Sequence, residues 1–464
     1  MILFFILSVY LPVDSWQNEL IEELQVRGTY FNNFPSVRPY DIVDLSYPGF
    51  FQPNDRLWLP NFSGGMTYDT VTVLRLKPAL YYDWSGFSIC IQPVFKFGDD
   101  SLPPYRVFNV SDKALFSADY ERAYAKYAGK HFGFFIGRER FSIGPSPRYN
   151  LLLSGYSAPM DWISYFMRSN KLRFSFFLTR MDDWYTKPLE YVGDTITQYI
   201  DARRYLTVKR LDFSPYPWLN FGLSEATVFG GENYTLQLYH LNPVVFVQAY
   251  QYNWDDDVNF FLGFDTKVFI NNFAFYAALL IDDFQLETDN NGEPHHWGMN
   301  IGTEIADIAG IKNSFWVLEY TAVSRYTYCH FVPYQRYQYL ETSIGSPYGP
   351  DYDEIFTKLT YHITKTIDLF AQIGYLRKGE GNISTLWPIP EYPREQGTFF
   401  PEGNLLSGTV QKSIDSGIGA RYFLQDQLAM ELYAGFLHIS DAKHVLGAGE
   451  NSLVIRLQVD ALNF

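Results

Sequence analysis

The chain has no internal run of about 18 or more apolar residues, which is the length that indicates a membrane-spanning helix. Charged residues are also few, at 19% of the 464 positions, and the mean hydropathy is only −0.15. Basic residues are fewer than acidic residues, 36 against 51, and the chain has a net charge of −15. This balance argues against nucleic acid as a partner, because nucleic-acid-binding proteins carry basic patches. An anionic polymer would have to bind at local basic clusters.

Cysteine is nearly absent, with only Cys90 and Cys329 in the whole chain. Neither lies in a CxxC motif, which excludes a thioredoxin-like motif and a cysteine-based metal site. Both fall in strand-like segments, so free structural thiols are the first interpretation. A disulfide between them requires Cα atoms within about 7 Å, and the sequence leaves that alternative open.

Recognisable catalytic and cofactor motifs are also missing. The stretch from Gly155 to Pro159 is the nearest match to a nucleophile elbow, but it lacks the second glycine. His295 and His296 have no third ligand at metal spacing, and the aspartates at 255–257 are more typical of a strand connector than of a calcium site. We therefore expect no catalytic residues, no metal site, no cofactor and no enzymatic activity.

Aromatic residues, in contrast, are abundant, with 40 Phe, 37 Tyr and 10 Trp. They occur in short segments where apolar and polar positions alternate, most clearly at 172–179, 258–267, 367–376 and 453–461. Alternation with period two indicates strands, and aromatic-rich strands with sparse charge are typical of a transmembrane β-barrel. A soluble β-sandwich also alternates, but its outer face would carry more charge. Roughly 400 barrel residues at about 20–25 per strand predict about 16 to 20 antiparallel strands.

The alternation also predicts which charged side chains face the barrel lumen. They lie opposite the apolar positions of their strands: Arg173, Asp265, Lys267, Asp368, Glu431 and Arg456. The final strand carries one irregularity, because Leu462 and Phe464 are in phase with its polar face. A bulge, or an exit of the strand into the membrane interface, would explain the shift.

The first sixty residues have a different pattern. The apolar stretch Met1–Leu11 is too short to span a bilayer and predicts a signal peptide over residues 1–15, although a basic n-region is missing. The alternative is a first apolar strand or helix of the mature chain. Residues 17–25 place Leu20, Ile21 and Leu24 on one helical face, and Gly28 is a plausible stop. We therefore predict a short helical segment within residues 16–60, in the periplasm or the barrel mouth, before a barrel at 61–464.

Residues 129–160 carry the most distinctive motif of the chain. Its ordered positions include Gly137, Arg138, Gly144, Pro145, Ser154 and Pro159. This order resembles the Wzi family of capsule-assembly outer-membrane proteins, and further blocks follow in the same order, at Arg38–Tyr40, Leu241–Pro243, Asp282–Phe284, Glu319–Thr321 and Gly349–Asp351. One departure is Ile143, where the family pattern leads us to expect Trp.

The resemblance implies an eighteen-stranded outer-membrane barrel with a small periplasmic helical segment. Its members are lectins that hold capsular polysaccharide at the cell surface. For this chain it therefore implies an outer-membrane location, outer-membrane lipid and a surface or capsular polysaccharide as partners, and a monomeric barrel. The alternative function is a porin or substrate channel, which predicts an open lumen lined by the charged residues named above.

Aromatic side chains are the natural candidates for sugar contacts, because their rings stack on sugar C–H faces and their polar atoms bond hydroxyls. The candidates are the aromatic-rich stretches that contain Trp184, Tyr185, Tyr252 and Trp254. Most Tyr and Trp of a barrel are instead girdle residues at the membrane interfaces.

Overall fold

The computed structural model of the protein describes residues 16–28, 34–40, 57–68, 72–84, 86–97, 116–185, 201–242, 258–283, 295–385, 405–424 and 428–462. The predicted signal peptide therefore lies outside the described residues. Within them, a single α-helix, α1 (Trp16–Val26), precedes eighteen long strands. No helix in these ranges has both the length and the apolar character needed to span a bilayer.

The long strands follow one another along the whole chain. The first nine are β1 (Leu57–Tyr68), β2 (Thr72–Trp84), β3 (Phe87–Phe97), β4 (Phe116–Ala128), β5 (Phe132–Glu139), β6 (Met160–Arg168), β7 (Leu172–Arg180), β8 (Asp201–Tyr216) and β9 (Leu219–Glu232). The remaining nine are β10 (Asn259–Ile270), β11 (Phe273–Asp283), β12 (His296–Ala306), β13 (Ser314–Val323), β14 (Tyr352–His362), β15 (Ile367–Lys378), β16 (Gln411–Leu424), β17 (Leu428–Ser440) and β18 (Gly449–Leu462).

Short elements occupy the connections between these strands. Two-residue strands lie at Val37–Arg38, Ser142–Ile143, Leu153–Ser154, Trp184–Tyr185, Gln338–Tyr339 and Thr342–Ser343. Short 3₁₀ helices lie at Leu238–Leu241, Ile308–Gly310, Pro333–Gln335 and Ala442–His444.

The eighteen long strands form one antiparallel sheet that closes on itself. Each strand pairs with its sequence neighbours, and β1 pairs both with β2 and with β18, through Met66↔Leu74 and Met66↔Leu457. Closure removes the exposed edges that an open sheet would present. The predicted antiparallel barrel is therefore confirmed, with the expected number of strands. The register of β18 against β1 is continuous up to Leu462, so the bulge considered for this strand is absent.

The two ends of the barrel differ in their connections. At one end the strands are joined by tight turns, as between Tyr216 and Leu219 or between Ile270 and Phe273. At the other end the connections are long, as between Glu139 and Met160 or between Val323 and Tyr352. We call these the short-turn end and the long-loop end. Outer-membrane barrels place short turns in the periplasm and long loops outside the cell.

The burial pattern of the strands is inverted relative to a soluble protein. In β3, Phe87, Ile89 and Ile91 are exposed on the outer face, whereas Ser88 and Lys96 are buried inside the barrel. Exposed apolar side chains recur at alternate positions around the sheet, including Leu453, Ile455 and Leu457 of the last strand. An apolar outer surface around a polar interior is the arrangement that a bilayer stabilises.

Helix α1 begins the described chain and confirms the predicted helical segment. Ile21 and Leu24 are buried against Tyr40, and Leu20 packs beside them, as the helical spacing predicts. The helix ends before Gly28, whose φ of +66° suits a residue without a side chain. Both cysteines are free and buried, so the disulfide alternative is wrong.

Candidate functional site

Three glutamates anchor α1 to the barrel wall at the short-turn end. Glu22 accepts a hydrogen bond from Lys267 Nζ at 2.6 Å and one from Arg38 Nη2 at 2.9 Å. Glu19 contacts Lys358 and lies 3.5 Å from Arg421 Nη2. The helix therefore lies inside the barrel mouth and is held there mainly by opposite charges from separate strands.

The surroundings of these glutamates favour their charged forms. Burial alone would raise the pKa of Glu19, but the charges of Lys358 and Arg421 outweigh it and lower that pKa to about 2. Burial likewise opposes ionisation of Glu22, and Lys267 and Arg38 more than compensate, so its pKa is also lowered. Both carboxylates are ionised at neutral pH and both ion pairs are intact there.

A third anchor lies at the last turn of the helix. Glu23 accepts from Arg27 Nε at 2.7 Å and lies 2.8 Å from His362 Nε2. Arg27 also donates to Asp307 at 2.9 Å, in the turn between β12 and β13. Val26 packs against apolar residues of the inner wall, including Phe269 and Phe315.

A small three-stranded sheet lies inside the barrel above this helix. Val37–Arg38 pairs with Ser142–Ile143, which pairs in turn with Leu153–Ser154. Arg38 further donates to the carbonyl of Ser146 at 2.6 Å. The long connection 140–159 thus folds into the lumen and bonds to the segment that follows α1.

A second long connection, 324–351, folds inward and covers the first. Tyr328 Oη donates to the carbonyl of Leu151 at 2.6 Å, and Tyr337 Oη donates to that of Leu152 at 2.7 Å. The backbone N–H of Ser154 donates to Ile344 O at 3.1 Å. These bonds join two loops that lie far apart in sequence into one layer across the lumen.

Apolar packing holds this layer to the wall. One buried cluster joins Ile143 and the leucines at 151–153 to Trp162 and Phe177 of the strands and to Ile344 of the second loop. Phe141 contacts Trp162 edge-on, with ring centroids 5.8 Å apart. The long-loop half of the interior is therefore a packed core.

The family-motif residues have defined places around the first inward loop. Gly137 has a φ of +131°, and a Cβ there would lie 2.3 Å from Ala123 O. Gly144 has a φ of +139°, and a Cβ there would lie 2.2 Å from Asn150 Oδ1. Both positions therefore need glycine for steric reasons. Pro145 and Pro159 are buried at the two ends of the loop, and Ser154 Oγ donates to Ile344 O at 3.2 Å.

Arg138 is the one member of that motif on the outer surface. It donates to Asp161 at 2.8 and 3.0 Å and to Asp119 at 2.9 Å. The three side chains belong to neighbouring strands near the long-loop end. They form a charged patch above the apolar outer face.

The six charged residues assigned to the lumen by alternation are each found beside interior groups. Their contacts are, in chain order, Arg173 with Ser175, Asp265 with Arg210, Lys267 with Glu22 and Glu304, Asp368 with His362, Glu431 with Arg421, and Arg456 with the ring of Tyr433. They do not form one site. Three of them, Lys267, Asp368 and Glu431, belong to the charge network around α1.

Several charged residues of the interior were missed by the sequence reasoning. Arg210 is fully buried and bonds to Asp212 at 2.7 Å, and Glu22 and Arg38 bond to each other. Arg204, Arg210 and Asp212 stand at even positions of β8, so the same alternation could have identified them. Glu22 and Arg38 precede the barrel, and no periodic signal marks them as interior residues.

Of the four aromatic candidates for sugar contacts, the side chain of Trp184 is described. Trp184 is partly exposed at the long-loop end, and its ring lies 5.6 Å from Arg204 Cζ and 5.8 Å from Arg336 Cζ. Arg204 is fixed by bonds to Asp182 and to the carbonyls of Tyr334, Arg336 and Gln338. Trp184 thus stands at the rim, on a rigid base of two guanidinium groups.

The remaining candidates contribute less. Tyr185 continues the short strand of Trp184, paired with Asp201, and Tyr252 and Trp254 lie outside the described residues. Within the part of the chain that the structure describes, no group of three His, Cys, Asp or Glu side chains is arranged to hold a metal ion.

Comparison with known proteins identifies relatives of this architecture. The family model of the capsule assembly protein Wzi matches residues 72–452. Among solved structures, the Escherichia coli outer-membrane protein Wzi, described as a carbohydrate-binding β-barrel involved in group 1 capsule assembly, superposes with a TM-score of 0.64 at 14% identity. The match covers 97% of this chain and 99% of that one, which establishes a common fold. No curated sequence matches the chain.

Outer-membrane channels give weaker matches. OprD of Pseudomonas aeruginosa has a TM-score of 0.48 at 9% identity, covering 88% of this chain and 95% of that one. OccAB4 of Acinetobacter baumannii has a TM-score of 0.47 at 10% identity, covering 89% and 99%.

Proposed function

The chain belongs to the Wzi family of capsule assembly proteins, and we propose that it is a non-enzymatic outer-membrane lectin that holds surface polysaccharide. The family match covers most of the barrel, and the barrel's apolar outer face suits the outer membrane. Carbohydrate binding is described for the E. coli protein that shares this fold. For the present chain it is part of the proposal.

The observation that carries the proposal is the filled interior of the barrel. Helix α1 occupies the short-turn end, and the two inward loops form a packed layer in the long-loop half. The alternative function, a diffusion porin, needs a continuous water path through the lumen. A filled barrel favours a role at the cell surface over bulk transport.

The rim at Trp184 is the proposed contact for the polysaccharide. A partly exposed indole stacks on sugar C–H faces, and the two buried guanidinium groups behind it add positive charge. This is the kind of local basic cluster that an acidic polymer needs on a chain with a net charge of −15.

The test combines a binding measurement with a transport measurement on the purified full chain. We expect saturable binding of capsular polysaccharide on a glycan array, and in planar bilayers no large steady conductance. Trp184→Ala should weaken glycan binding about tenfold. The control Trp218→Ala, an exposed indole at the short-turn end, should leave it unchanged. Large conductance without glycan binding would contradict the proposal and support the porin.

A cellular experiment addresses the biological role. A strain that lacks the protein should shed its surface polysaccharide into the medium, and the wild-type chain should restore retention. Restoration by Trp184→Ala to the wild-type level would show that the rim contact is not needed.

A further inference from the structure

A polar cavity of about 210 Å³ lies between α1 and the wall formed by β14–β18. The ion pairs of the helix and the packing of the inward loops, described above, do not explain why this space is left open. Its lining includes Glu19 from the helix and, from the strands, Gln372, Arg421, Tyr433, Arg456 and Gln458. Glu19 has 42% of its side chain exposed, so solvent reaches this cavity beside the helix.

The three basic side chains on the cavity wall differ in whether they have a carboxylate partner. Lys358 contacts Glu19, and Arg421 donates to Glu431 at 2.6 Å. Arg456 has its guanidinium 5.6 Å from the ring centre of Tyr433, and among the described residues it makes no hydrogen bond or ion pair. One cation on the wall therefore has its planar set of donors available to a ligand.

The aromatic rings of the cavity are already covered. Phe370 and Tyr433 stack on each other, with centroids 6.2 Å apart, and both are buried. Tyr433 Oη accepts from Gln372 Nε2 at 3.1 Å. A ligand would therefore meet guanidinium, amide and carboxylate groups rather than an aromatic platform.

We propose that this cavity binds a small anionic, hydroxyl-bearing ligand of the sugar-acid class. Arg456 would bind the ligand carboxylate in two parallel hydrogen bonds. The amide nitrogens of Gln372 and Gln458 already donate to Tyr433 and Asp460, so their amide oxygens would accept from the ligand hydroxyls. The carboxylates of Glu431 and Asp460 on the same wall limit the site to one negative group and accept from hydroxyls. Since ligand pockets usually measure about 300–1,000 Å³, this volume restricts the ligand to about one sugar ring.

The site lies at the opposite end of the barrel from Trp184 and is independent of the proposed rim contact. Strands β15, β17 and β18 carry the residues that touch the ligand, whereas the rim residue lies beside β8. Loss of one site should therefore leave the other intact.

The first test is equilibrium dialysis of radiolabelled D-glucuronate against the full chain in detergent micelles. We expect saturable binding that unlabelled glucuronate displaces at least tenfold better than D-glucose or sodium acetate does. Arg456→Ala should weaken binding at least tenfold, and Arg456→Lys, which keeps the charge but not the planar donors, about threefold. Lys443→Ala removes a cation that is 83% exposed at the long-loop end and should have no effect.

Several outcomes overturn the proposal. They are an absence of saturable glucuronate binding to the wild-type chain, full binding by Arg456→Ala, and equal displacement by glucose or by acetate. Heat-dependent mobility in gel electrophoresis shows whether each variant is a folded barrel.

A second measurement locates the ligand without altering Arg456. Gln458→Cys places a thiol on the cavity wall of a chain whose own cysteines are buried. Glucuronate should slow its reaction with a charged thiosulfonate reagent at least threefold, and acetate should not. An unchanged rate at saturating glucuronate places the ligand elsewhere and refutes the site. Polysaccharide binding to the array reports on the rim in the same samples, so failure of either proposal is seen separately.

Discussion

The two ends of the barrel interior are closed by different interactions. At the short-turn end, α1 is held mainly by ion pairs from Glu19, Glu22 and Glu23 to strands β10, β14 and β16. At the long-loop end, two loops are held by backbone carbonyls, tyrosine hydroxyls and a large apolar cluster. The helix at the short-turn end is docked as a separate element, whereas the loop layer at the long-loop end is part of the protein's core. The helix should therefore undock without unfolding the barrel, and the loop layer should not.

The largest effect is expected in the apolar cluster where the loop layer packs against the barrel wall. Trp162 is buried between Phe141 and Phe177, so Trp162→Ala should lower the free energy of unfolding by about 3–5 kcal/mol. Urea titration of the barrel in lipid vesicles measures this loss. Trp218→Ala, at an exposed position, should cost clearly less. Equal losses at the two positions would mean that the loop layer is not a packed core.

The second effect separates undocking from unfolding. Glu22→Gln leaves Lys267 and Arg38 without their shared carboxylate, which should weaken helix docking by about 2–3 kcal/mol. Trypsin should then cleave after Arg27 roughly 30-fold faster or more, because each 1.4 kcal/mol changes a population about tenfold. The urea midpoint of the barrel should shift little.

The matched control for this variant is Glu450→Gln, which removes an exposed carboxylate paired with Lys443. It should change neither the cleavage rate nor the urea midpoint. If Glu22→Gln lowers the urea midpoint as much as Trp162→Ala does, then the helix and the loop layer unfold together and do not differ as described.

The third effect is the pH dependence of the helix end. The pKa of Glu19 is lowered from 4.5 to about 2, so its contribution to docking is complete above pH 4.5 and is lost as the pH falls towards 2. A spin label at Leu20→Cys should give the same spectrum from about pH 8 to about pH 5 and become mobile below 4.5. Glu19→Gln should reduce this change. A label on the loop layer should show none over the same range, and a parallel change there would argue against charge as the specific anchor of the helix.

The smallest effect is expected from the ion pairs on the outer surface of the barrel. Arg138 bonds to Asp119 and Asp161, but the side chain of Asp161 is 65% exposed. Solvent screens such pairs, so Arg138→Lys should change the free energy of unfolding by less than about 1 kcal/mol. Urea titration of Arg138→Lys in parallel with Glu22→Gln compares an ion pair outside the barrel with one inside it. A loss above 2 kcal/mol would show that burial is not what distinguishes them.

Much of the wall was predictable from the sequence, and much of the interior was not. Alternation in segments such as 172–179 and 453–461 reports local backbone geometry, and it led to the closed antiparallel barrel. It also assigned a face to Lys267 and Arg456. The partners of those side chains come from distant parts of the chain, as with Glu22 and Lys267, 245 positions apart. No local pattern encodes such a pairing.

The inward course of the loops was unpredictable for a related reason. A connection such as 324–351 has the polar, turn-rich composition of an external loop, and its direction is decided by tyrosine hydroxyls that meet the carbonyls of residues 151 and 152. The aromatic candidates had a similar weakness. Composition marked Trp184, but only the packing of Arg204 and Arg336 against its ring distinguishes it from a girdle residue.

The position of α1 ahead of the barrel strands in the sequence sets the order in which its contacts can form. Its partners Lys267, Lys358 and Arg421 follow it by 245, 339 and 402 positions, and the seam between β1 and β18 needs the last residues of the chain. The helix is therefore synthesised before any of the strands that supply these counter-charges. A polypeptide that stops before β16 has an acidic helix without Arg421 and a first strand with one unpaired edge. Both features persist until β16 and β18 have been added to the sheet.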